Sequence, residues 1–239
     1  IELADKVKGK LAGNFVPEAK ITGTCAIDRY IPGKVSFIRN RRYGERLAGL
    51  TNAIVLVPED LVEFCEKYPG NTYIIVEDAL NSMMDVQDFF YSKESVINKE
   101  GISSTAKIDK SAGIGSRAYI GENVYIGENV QVGEGTKIMH NTCILDNVVI
   151  GRNTYIYPGV CIYKNCQIGS DCIIHSGARI GVDGLRFEQD IKQKKVRKMH
   201  HMGKVFTGDR VEIGANSTID RATFEDEMTI VSDDVKLDD

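Results

Sequence analysis

The sequence predicts a small α/β N-terminal domain followed by an all-β parallel β-helix of hexapeptide repeats. Three observations carry that expectation. Every sixth residue from Ile102 to Ile180 is Ile or Val, fourteen positions in succession. Four residues after each stands a small or β-branched residue, from Ala106, Ala112, Ala118 and Val124 to Cys166, Cys172 and Ala178. Residues 1–98 lack this period and alternate strand-like with helical stretches.

In chain order, Glu2 to Leu11 has helical composition, and Ile21 to Ile27 and Lys34 to Ile38 read as strands. Asn40 to Leu50 reads as helix, Ala53 to Val57 as strand, Glu59 to Tyr68 as helix, Thr72 to Val76 as strand and Asp78 to Tyr91 as helix. The α/β domain is therefore expected over 1–98, with a linker near 92–101, and the β-helix over 99–239.

A period of six fits neither a 3.6-residue helix nor a long flat strand. It fits a short strand and a turn, with the bulky and the small residue both pointing inward. β-Branched residues suit the strand. The Gly that often follows the Ile, as at Gly115, Gly121, Gly127 and Gly133, is expected to supply an unusual φ at the turn. Three hexads close a triangular coil, and coils stack at about 4.8 Å through parallel hydrogen bonds. Cys166 and Cys172 fall in the small inward column, where a thiol packs as a hydrophobe. The register breaks at Gly181-Val182-Asp183-Gly184 and resumes near Thr207-Gly208, Ile213 and Ile219. The stretch between, about 183–206, is expected to leave one corner as a charged loop. Val231 and Leu237 keep the phase and Glu225 does not. An uncapped coil at Asp239 would leave an open sheet edge and an exposed interior, so further coils are expected beyond it.

Composition narrows the function classes. Of 239 residues, 42% are apolar and 27% charged, with a net charge of −4. That content suits a buried core, and the acidic balance argues against a nucleic-acid partner. The longest unbroken apolar run, Ala53 to Val57, is far short of the ~20 residues of a membrane helix, and the first residues lack a signal-peptide pattern. A soluble, cytoplasmic protein without a transmembrane segment is expected. Six cysteines without a Cys-x-x-Cys pair do not form a disulfide scaffold. His140 and His175 occupy different positions of the coil and cannot converge on one ion, so no metal site is expected. His200 and His201 lie in the charged insertion and are expected to be solvated.

The hexads resemble those of the left-handed β-helix acyltransferases, which generally form trimers with active sites between subunits. The left hand follows from that resemblance; the usual crossover preference would give the opposite. Within this superfamily the arrangement resembles the UDP-3-O-acylglucosamine N-acyltransferases of lipid A biosynthesis. Val35-Ser36-Phe37-Ile38-Arg39-Asn40-Arg41-Arg42-Tyr43 is similar to that family's uridine-binding segment. Ile180-Gly181-Val182-Asp183-Gly184 is similar to its Gly-x-Asp-Gly loop, and Val211-Glu212-Ile213-Gly214-Ala215-Asn216-Ser217-Thr218-Ile219-Asp220-Arg221 to its most specific stretch.

The resemblance implies transfer of a 3-hydroxyacyl chain from acyl carrier protein to the 2-amino group of a UDP-3-O-acylglucosamine. It implies a homotrimer that binds no cofactor of its own, the acyl donor being carried on the phosphopantetheine of acyl carrier protein. Phe37 and Tyr43 then offer flat faces to the pyrimidine, and Asn40 a donor and an acceptor to the uracil edge. A free amine attacking a thioester needs a base and an oxyanion donor. In the family the base is a His preceded by Leu-Asp-Asn. Lys236-Leu237-Asp238 matches the start of that segment and Asp239 replaces the Asn, which places the base past the end of this sequence. Asp238 is thus the matched residue near the chemistry, in an orienting role. Arg186 to Lys204 holds seven Lys or Arg against Glu188 and Asp190, a charge that would attract an acidic carrier protein or a phosphopantetheine phosphate. Two other classes stay open: an acetyl-CoA-dependent nucleotide-amino-sugar N-acetyltransferase, and a non-catalytic UDP-sugar-binding β-helix protein should the chain end at Asp239.

Overall fold

The computed structural model describes residues 2–15, 20–94 and 99–238. The chain divides into two compact units, Ile1–Val96 and Ile97–Asp239. Part of the expected 92–101 linker, and Asp239, lie outside the described residues.

The first unit is built on a four-stranded sheet in the order β1 (Lys10–Gly13), β4 (Thr72–Val76), β3 (Ile54–Pro58), β2 (Val35–Phe37). β2, β3 and β4 run parallel, and β1 is antiparallel to β4. Every residue of β3 is buried, because α4 (Ala79–Glu94) packs on one face while Leu47, Leu61 and Phe64 cover the other. Three expectations are corrected here. Glu2 to Leu11 is not one helix: α1 spans Glu2–Lys6, Lys8 turns the chain at φ 54°, and the following residues join the sheet edge as β1. Ile21 to Ile27 contributes only a single bridge, Thr24 to Val35, followed by a 3₁₀ turn over Ile27–Arg29. Asn40 to Leu50 breaks into α2 (Arg41–Gly44) and a 3₁₀ turn over Glu45–Leu47. Gly44 lies against Phe64, where a Cβ would come within 2.6 Å of the ring.

The second unit is a parallel β-helix. Among the described residues its strands, most of them two residues long, stack into three sheets of seven, six and six strands, one for each face of a triangular coil. The first face runs from Gly101–Ile102 through Lys137–Ile138, Tyr155–Ile156, Ile173–Ile174 and Glu212–Ile213 to Lys236–Leu237. Arg179–Val182 and Thr218–Asp220 belong to the second face, Lys204–Thr207 and Met228–Val231 to the third. Pairing is in register, Ile on Ile, as with Ile138, Ile156 and Ile174. These side chains and the small column from Ala118 to Ala178 form one continuous core. Threonines in that column are satisfied across coils, Thr136 Oγ1 donating to the Gly151 carbonyl (2.7 Å) and Thr154 Oγ1 to that of Gly169 (2.8 Å).

The glycines that follow Ile do something other than expected. Gly115, Gly121, Gly127, Gly133, Gly151 and Gly169 do not have positive φ; Gly181, at +84°, is the exception. They are needed because coils approach closely: a Cβ at Gly133 would sit 2.5 Å from the Arg152 nitrogen of the next coil. Positive φ falls two residues later, at Asn123, Asn129, Asn141, Asn147, Asn153, Asn165 and Asp171, with Gly135, Gly159 and Gly177 interspersed. Asn tolerates this region best among residues with a Cβ. The amides also stack into ladders along the corner, Asn129 donating to Asn147 and Asn147 to Asn165, each at 3.2 Å.

The insertion is a β-hairpin of Arg186–Asp190 and Lys195–Met199, a separate two-stranded sheet. A second excursion spans residues 221–227, between Thr218–Asp220 and Met228–Val231. Unbroken hexads would return Val231 to the first face; it pairs with Thr207 on the third. An excursion of one repeat length preserves the six-residue phase while shifting the face, so periodicity alone does not reveal it.

Candidate functional site

In the first unit, Phe37 ends β2 and Tyr43 lies on α2. Both line one cavity of about 220 Å³ with Ala26, Ile27, Asp28 and Arg39. The wall over residues 26–28 is held by Tyr30, whose hydroxyl donates to the Lys34 carbonyl (2.8 Å) and accepts from the Ile54 nitrogen (2.9 Å). Burial pushes that phenol's pKa upward. Asp28 is paired with Arg46 at 3.0 Å, and the Arg39 guanidinium lies 5.6 Å from the Tyr43 ring centre. Asn40 does not line the cavity. It caps α2, its side-chain oxygen accepting from the Tyr43 nitrogen at 3.2 Å, which leaves its NH₂ as the group available to a ligand. Asp28 and Arg39 were not singled out from sequence. Arg39 stands inside the recognised segment, whereas Asp28 reaches the cavity only through a loop that gives no periodic signal.

In the β-helix, the two motif segments meet. Arg221 Nε donates to the Gly181 carbonyl (2.6 Å), the Arg221 backbone nitrogen donates to Val182 (3.0 Å), and the guanidinium lies 5.9 Å from the Tyr163 ring centre. At Gly181 the positive φ excludes most side chains, and Cys166 Sγ leaves no room for a Cβ. Asp183 accepts from the His201 backbone nitrogen (2.8 Å) and pairs with Lys198. The Lys198 hydrogen bond, helped by the His201 N–H, holds its carboxyl at a pKa of about 2.

His201 corrects the expectation of two solvated histidines. His200 is exposed, but the His201 ring lies over Gly184, where a Cβ would meet its Nδ1 at 2.5 Å. Nδ1 sits 3.2 Å from the Arg221 carbonyl, so it carries the proton. Nε2 is buried without a partner among the described residues. His201 thereby clips the Gly-x-Asp-Gly loop to the Arg221 segment, a role that sequence reading missed because His201 reaches both only through the hairpin.

Asp238 is exposed, and its carbonyl accepts from Ser217 Oγ at 3.2 Å. It follows Leu237 on the first face, whereas Arg221 follows the second, so the two leave different corners. On the Asp238 corner, two coils earlier, His175 pairs with Glu212 at 2.8 Å and stacks on Tyr157 with centroids 5.0 Å apart. His140 leaves the same corner one residue further along and two coils away. Among the described residues no three His, Cys, Asp or Glu converge as a metal site. Among them, too, no helix is long and apolar enough to cross a membrane.

Comparison with known proteins adds the following. Residues 102–196 match the family model described as the GMPPB C-terminal domain. A UDP-3-O-acylglucosamine N-acyltransferase of Coxiella burnetii (strain Dugway 5J108-111) is 52% identical over 66 residues, 28% of this chain and 18% of that protein. The protein of the same name from Bordetella pertussis (strain Tohama I) is 49% identical over 67 residues, 27% of this chain and 18% of its own length. In these matches the chain spans less than a fifth of its curated relatives. Among solved structures, an H141N mutant of perosamine N-acetyltransferase from Caulobacter crescentus, in complex with CoA and GDP-perosamine, aligns at 14% identity. It covers 81% of this chain and 69% of that one with a TM-score of 0.45. Over a partial stretch, the chain is similar to the UDP-3-O-acylglucosamine N-acyltransferases, the family its motifs resemble.

Proposed function

We propose that this chain belongs to an N-acyltransferase that moves a 3-hydroxyacyl group from acyl carrier protein to the amino group of a UDP-3-O-acylglucosamine, acting as a cytoplasmic homotrimer in lipid A biosynthesis. The observation that carries the reading is the convergence of Phe37 and Tyr43 on one cavity beside Arg39. Aromatic walls suit a planar base, and a guanidinium at the rim suits the diphosphate that follows it. Asn40 lies outside this lining, and with its oxygen held in the α2 cap only its NH₂ remains as a donor to a uracil edge.

In the reaction, the sugar amine attacks the thioester carbon, a base takes the amine proton, and the tetrahedral oxyanion collapses to an amide with release of the thiol. Within the β-helix unit, the clipped loop at Gly181–Gly184, with Arg221 behind it, supplies a backbone edge on which the acyl donor can be held. Asp238, exposed after Leu237, is the matched residue for orienting the base. No cofactor is bound, because the acyl group arrives on phosphopantetheine.

Calorimetric titration with UDP-sugar tests the pocket. Wild type binds, and Phe37→Ala or Tyr43→Ala weakens binding about tenfold or more, the scale of ~1–3 kcal/mol for one lost stack. Absence of UDP-dependent binding, or variants that bind as wild type, would sink the reading. Turnover with 3-hydroxyacyl carrier protein but not with acetyl-CoA distinguishes the donor in the full-length protein.

A further inference from the structure

We propose that the hairpin Arg186–Asp190/Lys195–Met199 docks on an anionic lipid surface. Among the described residues its strands pair with no other sheet. Its register sets Phe187 against Lys198 and Gln189 against Val196 on one face. The opposite face carries Arg186, Glu188, Asp190, Lys195 and Arg197, partly neutralised by Arg186–Glu188 (3.5 Å) and Arg197–Asp190 (3.9 Å) contacts. The apolar residues are not covered: Leu185 and Ile191 are 85% exposed, Val196 65% and Phe187 52%. At the tip, Ile191 and Val196 flank Lys192, Lys194 and Lys195, which make no ion pair among the described residues.

The combination decides the occupant. The chain carries a net charge of −4, yet the tip is locally cationic, so its charge complements an anionic surface. Lysines alone would suit an acidic protein. Aliphatic side chains standing out from a protruding tip instead suit insertion below lipid headgroups, with the lysine stems lying along the apolar side chains and the ammonium groups among the phosphates. The inference does not rest on the acyl-transfer reading.

The chain holds no tryptophan, so Ile191→Trp places a single indole at the tip that can be excited selectively over the ten tyrosines. Vesicles of equimolar phosphatidylcholine and phosphatidylglycerol should shift its emission to the blue, and phosphatidylcholine vesicles should not. In flotation, wild type should rise with the anionic vesicles. Ile191→Asp with Val196→Asp, and separately Lys192→Glu with Lys194→Glu and Lys195→Glu, should each lower the bound fraction by about tenfold or more. Circular dichroism checks that these exposed substitutions leave the fold intact. No binding to anionic vesicles, equal binding to neutral ones, or unchanged binding by the aspartate variant overturns the proposal. So does capture of holo acyl carrier protein by the same lysines without vesicle binding.

Discussion

Gly133 and Asn147, at two different corners of the coil, show opposite demands on a residue. Gly133 has no room for a Cβ, since the Arg152 nitrogen and the Gly151 carbonyl carbon would lie 2.5 Å away. Asn147 has room but an unfavourable φ of 58°, and its amide joins a ladder in partial compensation. Gly133→Ala should therefore cost about 1–3 kcal/mol, because backbone must shift, whereas Asn147→Gly should stay within about 1 kcal/mol. Urea unfolding separates them, and equal effects would refute the close-approach explanation. Asp183 supplies a second test. Its pKa is lowered from 3.8 to about 2, chiefly by Lys198, so the contribution of the pair is present above pH 3.8 and is lost as pH falls through about 2. Carboxyl NMR titration of Lys198→Gln should return Asp183 toward 3.8.

At the level of elements, the hairpin is an excursion from the coil whose flanking strands carry the faces. Among the described residues the hairpin strands pair only with each other, Lys198 adding an ion pair to Asp183, while the strands that flank it belong to the faces: Arg179–Val182 pairs with Thr218–Asp220, and Lys204–Thr207 with Met228–Val231. Replacing Arg186–Met199 by a short Gly-Ser link should leave the melting temperature of the β-helix within a few degrees, read by calorimetry. A larger fall would mean that the hairpin carries part of the core. Elements also show where sequence reading succeeded. Thr72 to Val76 was legible as a strand because it is a short β-branched run bounded by turn residues. The segment after α1 was not, since Lys10–Gly13 is a strand only through its partner β4.

On the scale of the whole molecule, each unit has its own apolar core: Ile120 to Val231 in the β-helix, and separate clusters around Val35 and Val55 in the first unit. Ile156→Ala, at a fully buried position, should therefore destabilise the β-helix by about 2–5 kcal/mol while leaving UDP-sugar affinity unchanged at temperatures where it stays folded. Phe37→Ala should do the reverse. Differential calorimetry with and without UDP-sugar reads both, and a variant that moves both signals would refute separate cores.

Sequence by itself determined the coil. A six-residue period with Ile and a small residue in fixed columns buries its apolar side chains as a three-sided parallel coil, so the strands, faces and core from Ile102 to Ile180 were legible in the sequence, while the hand came from the resemblance. Phe37 and Tyr43 were singled out only through the resemblance of the segment they share, and they line one cavity, whereas the cap that occupies the Asn40 oxygen had no signal in the sequence. Tertiary structure decided what depends on contacts distant along the chain. The role of His201 rests on Asp183, Gly184 and Arg221, each at least seventeen residues away. The face of Val231 rests on an excursion whose length matches the repeat. Local pattern records which side chains must be buried, but it holds no record of which distant backbone will be there to meet them.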